Sequence, residues 1–208
     1  KRLMFVYGRW NYRRASKVVC YIFYKNVLCS GSLFWYAIFN GWAGQKIFCE
    51  LANQGFNIFF SCVPVLLLGI NDRDVSAETA SAYPQLYTPG LRDAYFNPAI
   101  FQGWIAQALY EGLLCIALPL FAMPRALEEV GMMTSLWEFG ALSFTCVVFI
   151  ANVKLFLNQY RFTAAHVAWL LLSVGLWLGL ASLWGGFLFW TRPVKLGFLT
   201  LGGEGLLF

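Results

Sequence analysis

The chain alternates long apolar runs with short polar breaks, and within the runs polar positions do not recur at every second residue. The runs cover about 18–39, 47–70, 98–123, 136–157 and 164–190. Each is near the ~20 residues needed to cross about 30 Å of hydrocarbon. A spanning segment in lipid must satisfy its own backbone N–H and C=O groups, which selects helices. The pattern therefore predicts an all-α, polytopic membrane protein with about five transmembrane helices. A basic segment (1–17) precedes the transmembrane region (18–190), and a long polar loop at 71–97 interrupts it. The connections at 40–46, 124–135 and 159–162 are short, the second of them acidic. The tail, 191–208, is Gly-rich and patternless and reads as a truncated end.

Composition sharpens this picture. Of 208 residues, 60% are hydrophobic and 12% charged, against roughly 25% charged in soluble domains. Aromatics reach 19%, many near the ends of the runs, where amphipathic rings settle at a bilayer interface. Six cations (Lys1, Arg2, Arg9, Arg13, Arg14 and Lys17) precede the first run. Arg73, Arg92, Lys154 and Arg161 fall on the same side if five spans alternate, whereas Lys46, Arg125, Arg192 and Lys195 fall on the other. That bias predicts a cytoplasmic N-terminus. The net charge of +5 is then read as orientation and contact with anionic headgroups, rather than nucleic-acid binding. The opening segment has no initiating Met and its basic stretch is too long for a signal peptide; it reads as the middle of a longer protein. Cys20, Cys29, Cys49, Cys62, Cys115 and Cys146 lack CxxC spacing and read as reduced packing residues.

Charge inside a bilayer is costly and therefore informative. Lys25 sits seven residues into the first run, roughly 10 Å deep at 1.5 Å per residue. It is either a snorkelling side chain or a cation on an internal polar path, with Asn26 beside it. Gln54, Asn57 and Ser61 share one face of the second run, and Pro64 loosens the helix near Phe60. The stripe suits a substrate route or hinge, and equally suits interhelical hydrogen bonding. No carboxylate lies deep in either run, so an anionic or zwitterionic group suits Lys25 better than Ca²⁺ does. Glu111, midway along the third run, is open to being protonated, paired or cavity-facing. Asn152 and Lys154 read as interhelical glue and a snorkelling cation, and His166 as an interface residue. No phosphate loop, nucleophile elbow or metal-ligand motif is present, so no catalytic residue and no metal ligand is assigned.

Six ordered motifs carry a family resemblance. Tyr7-Gly8-Arg9-Trp10-Asn11-Tyr12-Arg13-Arg14 resembles the His-Gly-Arg-Trp-x-Tyr-x-Arg entry to the fifth membrane helix of type IV P-type ATPases, the phospholipid flippases. Phe23-Tyr24-Lys25-Asn26, the run from Phe34 to Gly41 and the run from Phe56 to Pro64 are similar to successive motifs of that family. So are Asp72-Arg73-Asp74-Val75-Ser76 and Tyr83-Pro84-Gln85-Leu86-Tyr87 in the loop. Tyr7, Arg73, Cys62 and Glu111 depart from the pattern. The resemblance implies helices five to nine of a ten-helix pump in the plasma membrane or Golgi and endosomal membranes. In such a pump ATP and Mg²⁺ act on domains absent here, and an aspartate in an Asp-Lys-Thr-Gly motif is phosphorylated. A two-span accessory glycoprotein is an implied partner and membrane phospholipid the implied substrate. By resemblance, Lys25, Asn26 and Asn57 match lipid-path residues; Ser61 and Pro64 join them from the polar stripe. A non-enzymatic membrane scaffold or lipid conduit is the alternative.

Overall fold

A computed structural model describes residues 6–48, 50–57, 62–128, 136–160, 164–191, 194–196 and 199–201. The first helix, α1 (Gly8–Phe39), has 32 residues, or about 48 Å at 1.5 Å per residue. It exceeds the hydrocarbon thickness, so the basic segment from Gly8 onward and the first span form one continuous rod. Asn40-Gly41 ends it: Gly41 takes φ +59°, its N–H donates to Ile38 O at 3.2 Å, and the Trp42 N–H donates to Ala37 O at 2.8 Å. That paired closure is a Schellman cap, which favours glycine at the left-handed position.

The second run becomes helical later than expected, with Ile47 and Phe48 outside helix. It forms α2 (Glu50–Gly55) and, after residues that include Ser61 and lie outside the described set, α3 (Cys62–Asn71). Pro64 lies within α3. The polar loop contains α4 (Ala77–Ala82), a 3-10 turn at Pro84–Tyr87 and α5 (Thr88–Leu91). Ser76 caps α4 by accepting from the Thr79 N–H at 3.1 Å. Asn97 and Pro98 start α6 (Pro98–Glu128): the Asn97 side chain accepts from the Ile100 N–H at 2.7 Å, with proline at the position that needs no donor. α6 extends five residues past the predicted end at 123. α7 (Leu136–Leu157) and α8 (Ala164–Thr191) follow. In the tail, Val194–Leu196 pairs antiparallel with Leu199–Leu201.

Among the described residues, three helices are long and apolar enough to cross a membrane: Gly8–Phe39, Pro98–Phe121 and Glu138–Leu157, with a shorter apolar stretch at Val167–Leu180. α1 runs along α6 and approaches it closely at Gly112, where a Cβ would meet Ser32 N at 3.2 Å and Leu28 O at 3.3 Å. Small residues permit such backbone contact, which replaces the hydrophobic drive that lipid cannot supply. The core joins Tyr21, Tyr24 and Leu28 of α1 to Ala108, Cys115 and Ile116 of α6, and to Phe144, Val147, Val148 and Ala151 of α7. Leu171, Leu172 and Leu178 of α8 stay exposed, as a helix apolar all round does when lipid is its solvent.

Candidate functional site

The α1 turn that carries Phe23-Tyr24-Lys25-Asn26 divides its side chains between two surroundings. Lys25 is buried, 6% exposed, while Asn26 is exposed. Neighbouring residues diverge by about 100° around a helix, so Lys25 is the member of the pair that turns into the protein. Cys29, one turn further along the Lys25 face, donates to Asn53 Oδ1 of α2 at 3.5 Å. That contact turns the Lys25 face toward α2. Asn57 is exposed just past α2. Gln54 of α2 is exposed as well, and Ser61, the third member of the expected polar face, lies outside the described residues. Pro64 lines a void of about 10 Å³ with Asn152, Gln159 and Trp169.

Glu111 is paired. Its carboxylate accepts from the Tyr24 hydroxyl and from Gln107 Nε2 at 2.8 Å, and Lys154 Nζ lies 3.7 Å away. Lys154 does not snorkel: its ammonium sits 5.5 Å from the Tyr24 ring centre and 5.4 Å from that of Trp104. A cation over two ring faces and beside a carboxylate is well compensated. Asn152 is interhelical glue, donating to Val148 O at 2.9 Å and to Ser173 Oγ of α8 at 3.1 Å. The side chain of His166 lies outside the described residues. Among the described residues, no group of three or more His, Cys, Asp or Glu is placed to hold a metal ion.

A second polar centre went unrecognised in the sequence. Asp74 accepts from Arg9 Nη1 and Nη2 at 3.0 and 2.6 Å and pairs with Arg13. Asp72 accepts from Lys17 Nζ at 3.0 Å and from the Tyr160 N–H at 2.8 Å, and its carbonyl accepts from Arg14 Nε at 2.5 Å. Lys17 also donates to Asn158 O at 2.7 Å. Arg13 and Lys17 lie over the Tyr160 ring, 4.2 and 4.0 Å from its centre. Burial opposes ionisation of Asp74, but the Arg9 hydrogen bonds and the charges of Arg13 and Arg9 outweigh it and hold this carboxyl below its usual range. Four of the cations read as headgroup contacts therefore clamp the loop and the end of α7 onto α1. An acidic pair in a loop facing a basic run was the available signal.

Apolar helices of spanning length, packed around buried paired charges, define a helical membrane protein. The chain belongs to the phospholipid-translocating P-type ATPase C-terminal family, whose model matches residues 1–201. It is 32% identical over 167 residues to mouse phospholipid-transporting ATPase ID, covering 80% of this chain and 14% of that protein. It is 30% identical over 191 residues to phospholipid-transporting ATPase 10 of Arabidopsis thaliana, with 91% and 15% covered. Phospholipid-transporting ATPase 6 of the same plant is 29% identical over 197 residues, with 94% and 16% covered. The chain thus spans about one-sixth or less of these relatives.

Proposed function

We propose that this chain is the membrane portion of an ATP-driven flippase that moves phospholipid from the outer or lumenal leaflet to the cytosolic leaflet. The observation that carries this reading is Lys25: an ammonium buried within a membrane helix, on the face that meets α2 through Cys29 and Asn53. A cation there suits a phosphate or carboxylate headgroup and repels a metal ion. Asn26, next to Lys25 in sequence, and Asn57, just past α2, supply neutral hydrogen-bonding groups. Ser61 and Pro64 remain assigned to this path.

ATP and Mg²⁺ would serve domains of the longer protein. The N-terminal end faces the cytosol, which places the Asp72–Asp74 clamp where a moving cytosolic domain would push on α1. The accessory two-span subunit is retained as a partner. The test is lipid-stimulated ATP hydrolysis by the complete pump in vesicles. Lys25→Glu, expressed and folded, should lose stimulation, and Asn57→Ala should weaken headgroup dependence. Normal stimulation of Lys25→Glu would remove Lys25 from the path, and lipid movement that continues without ATP would favour a passive conduit.

A further inference from the structure

We infer that Glu111 is a positioning residue for Lys25, acting through Tyr24; the inference rests on the flippase reading above. Tyr21 and Tyr24 lie three residues apart on one face of α1, and each is anchored to a different neighbour. The Tyr21 hydroxyl donates to Ala151 O of α7 at 3.0 Å. The Tyr24 hydroxyl donates to Glu111 of α6, and its ring packs edge-on against Trp104, 5.7 Å between centres. Two hydroxyls fixed one turn apart set the rotation of α1 about its own axis. Lys25 follows Tyr24 at about 100°, so the direction of its ammonium is set by the Tyr24 anchor.

Glu111 suits that task because its own charge is spent locally. Lys154 and Gln107 occupy the oxygen that Tyr24 does not, and the Glu111 and Lys154 side chains are only 16% and 15% exposed. The acid therefore offers no free charge to compete with a headgroup for Lys25. Its bond to Tyr24 adds an anchor beside the path while leaving the path's cation in place.

The experiment uses the complete pump in phosphatidylcholine vesicles, with phosphatidylserine or phosphatidylethanolamine titrated in and ATP hydrolysis measured. Removing the acceptor together with its counter-ion, in Glu111→Leu/Lys154→Met, avoids an unpaired buried charge. That variant and Tyr24→Phe should each raise the half-saturating lipid concentration by about three- to tenfold, the factor one hydrogen bond's net worth converts to. Maximal turnover should hold within about twofold. Combining the changes should add nothing, since they break one contact. Glu111→Gln/Lys154→Met, which restores an acceptor for Tyr24, should return the wild-type value. Folded Glu111→Leu/Lys154→Met protein with unchanged lipid dependence, or additive losses, would overturn the inference while the flippase reading stands. A parent protein with no lipid stimulation would overturn both. Loss of turnover without a shift in lipid dependence would also overturn it, by reducing Glu111 to packing. Should the double variants fail to fold, Tyr24→Phe alone decides by the same criterion.

Discussion

Asp74 receives two hydrogen bonds from the Arg9 guanidinium, at 3.0 and 2.6 Å, across 65 positions of sequence. The two-pronged geometry is directional as well as charged, so it fixes the loop's place against α1 instead of merely attracting it. The side chains are 6% and 12% exposed, dry enough for the bond to escape most solvent screening. Asp74→Asn keeps the shape and removes the charge, leaving Arg9 and Arg13 facing a neutral amide. The expected cost is about 1–3 kcal/mol, the range for a buried hydrogen bond to a charged group. A lowered unfolding temperature of the detergent-solubilised protein, with faster proteolysis within 71–97, would register it. An unchanged midpoint would mean that the Asp72 contacts hold the loop alone.

The same carboxylate predicts a pH dependence. Asp74 is held below its ordinary value, near 3.9 for an aspartate in a free peptide (about,). A depressed carboxylate contributes stability that is fully present above its unfolded value and is lost as pH falls through the folded one. The clamp should therefore be intact at neutral pH and release only as acid carries the solution below about 4. Cleavage of the loop by an acid-active protease, followed against pH, should rise there in the wild type and be nearly flat in Asp74→Asn. A rise already complete near neutral pH would point to a different group.

The helical class and the outer helices were legible because apolar run length alone decides them. Glu111 shows the limit of a single sequence. Its position left three alternatives open, because Tyr24 and Lys154, the partners that decide among them, lie 87 and 43 positions away. Lys154 was misread for the same reason: its distance from a helix end suggests snorkelling, while a carboxylate on another helix captures it. The Asp72–Asp74 motif was visible as letters, and its role emerged only once α1 proved continuous with the basic segment.

Asn152 offers a measure of how little a membrane hydrogen bond is worth. Its amide reaches Ser173 at 3.1 Å, linking α7 to α8, yet such contacts average only about 0.6 kcal/mol in double-mutant cycles. Asn152→Leu should thus lower thermal stability only slightly, and a cycle with Ser173→Ala should give a coupling of about 1 kcal/mol or less. A coupling several times larger would show that the pair sits in a wider network reaching the Pro64 void.

Gly112 should prove far less tolerant. A Cβ there would lie 3.2 Å from Ser32 N, 3.3 Å from Leu28 O and 3.4 Å from Gly31 C, all backbone atoms that cannot rotate away. Gly112→Ala must push α1 and α6 apart by a few tenths of an ångström, and Gly112→Val more. Overpacking of this kind costs about 1–3 kcal/mol, whatever alanine gains in helix propensity. At Gly31 the nearest atom is a Leu109 methyl at 3.3 Å, the end of a side chain that can move. Gly31→Ala should therefore be mild and Gly112→Val severe in thermal unfolding of the purified protein. Equal losses at the two positions would show that the α1–α6 contact is not seated on Gly112.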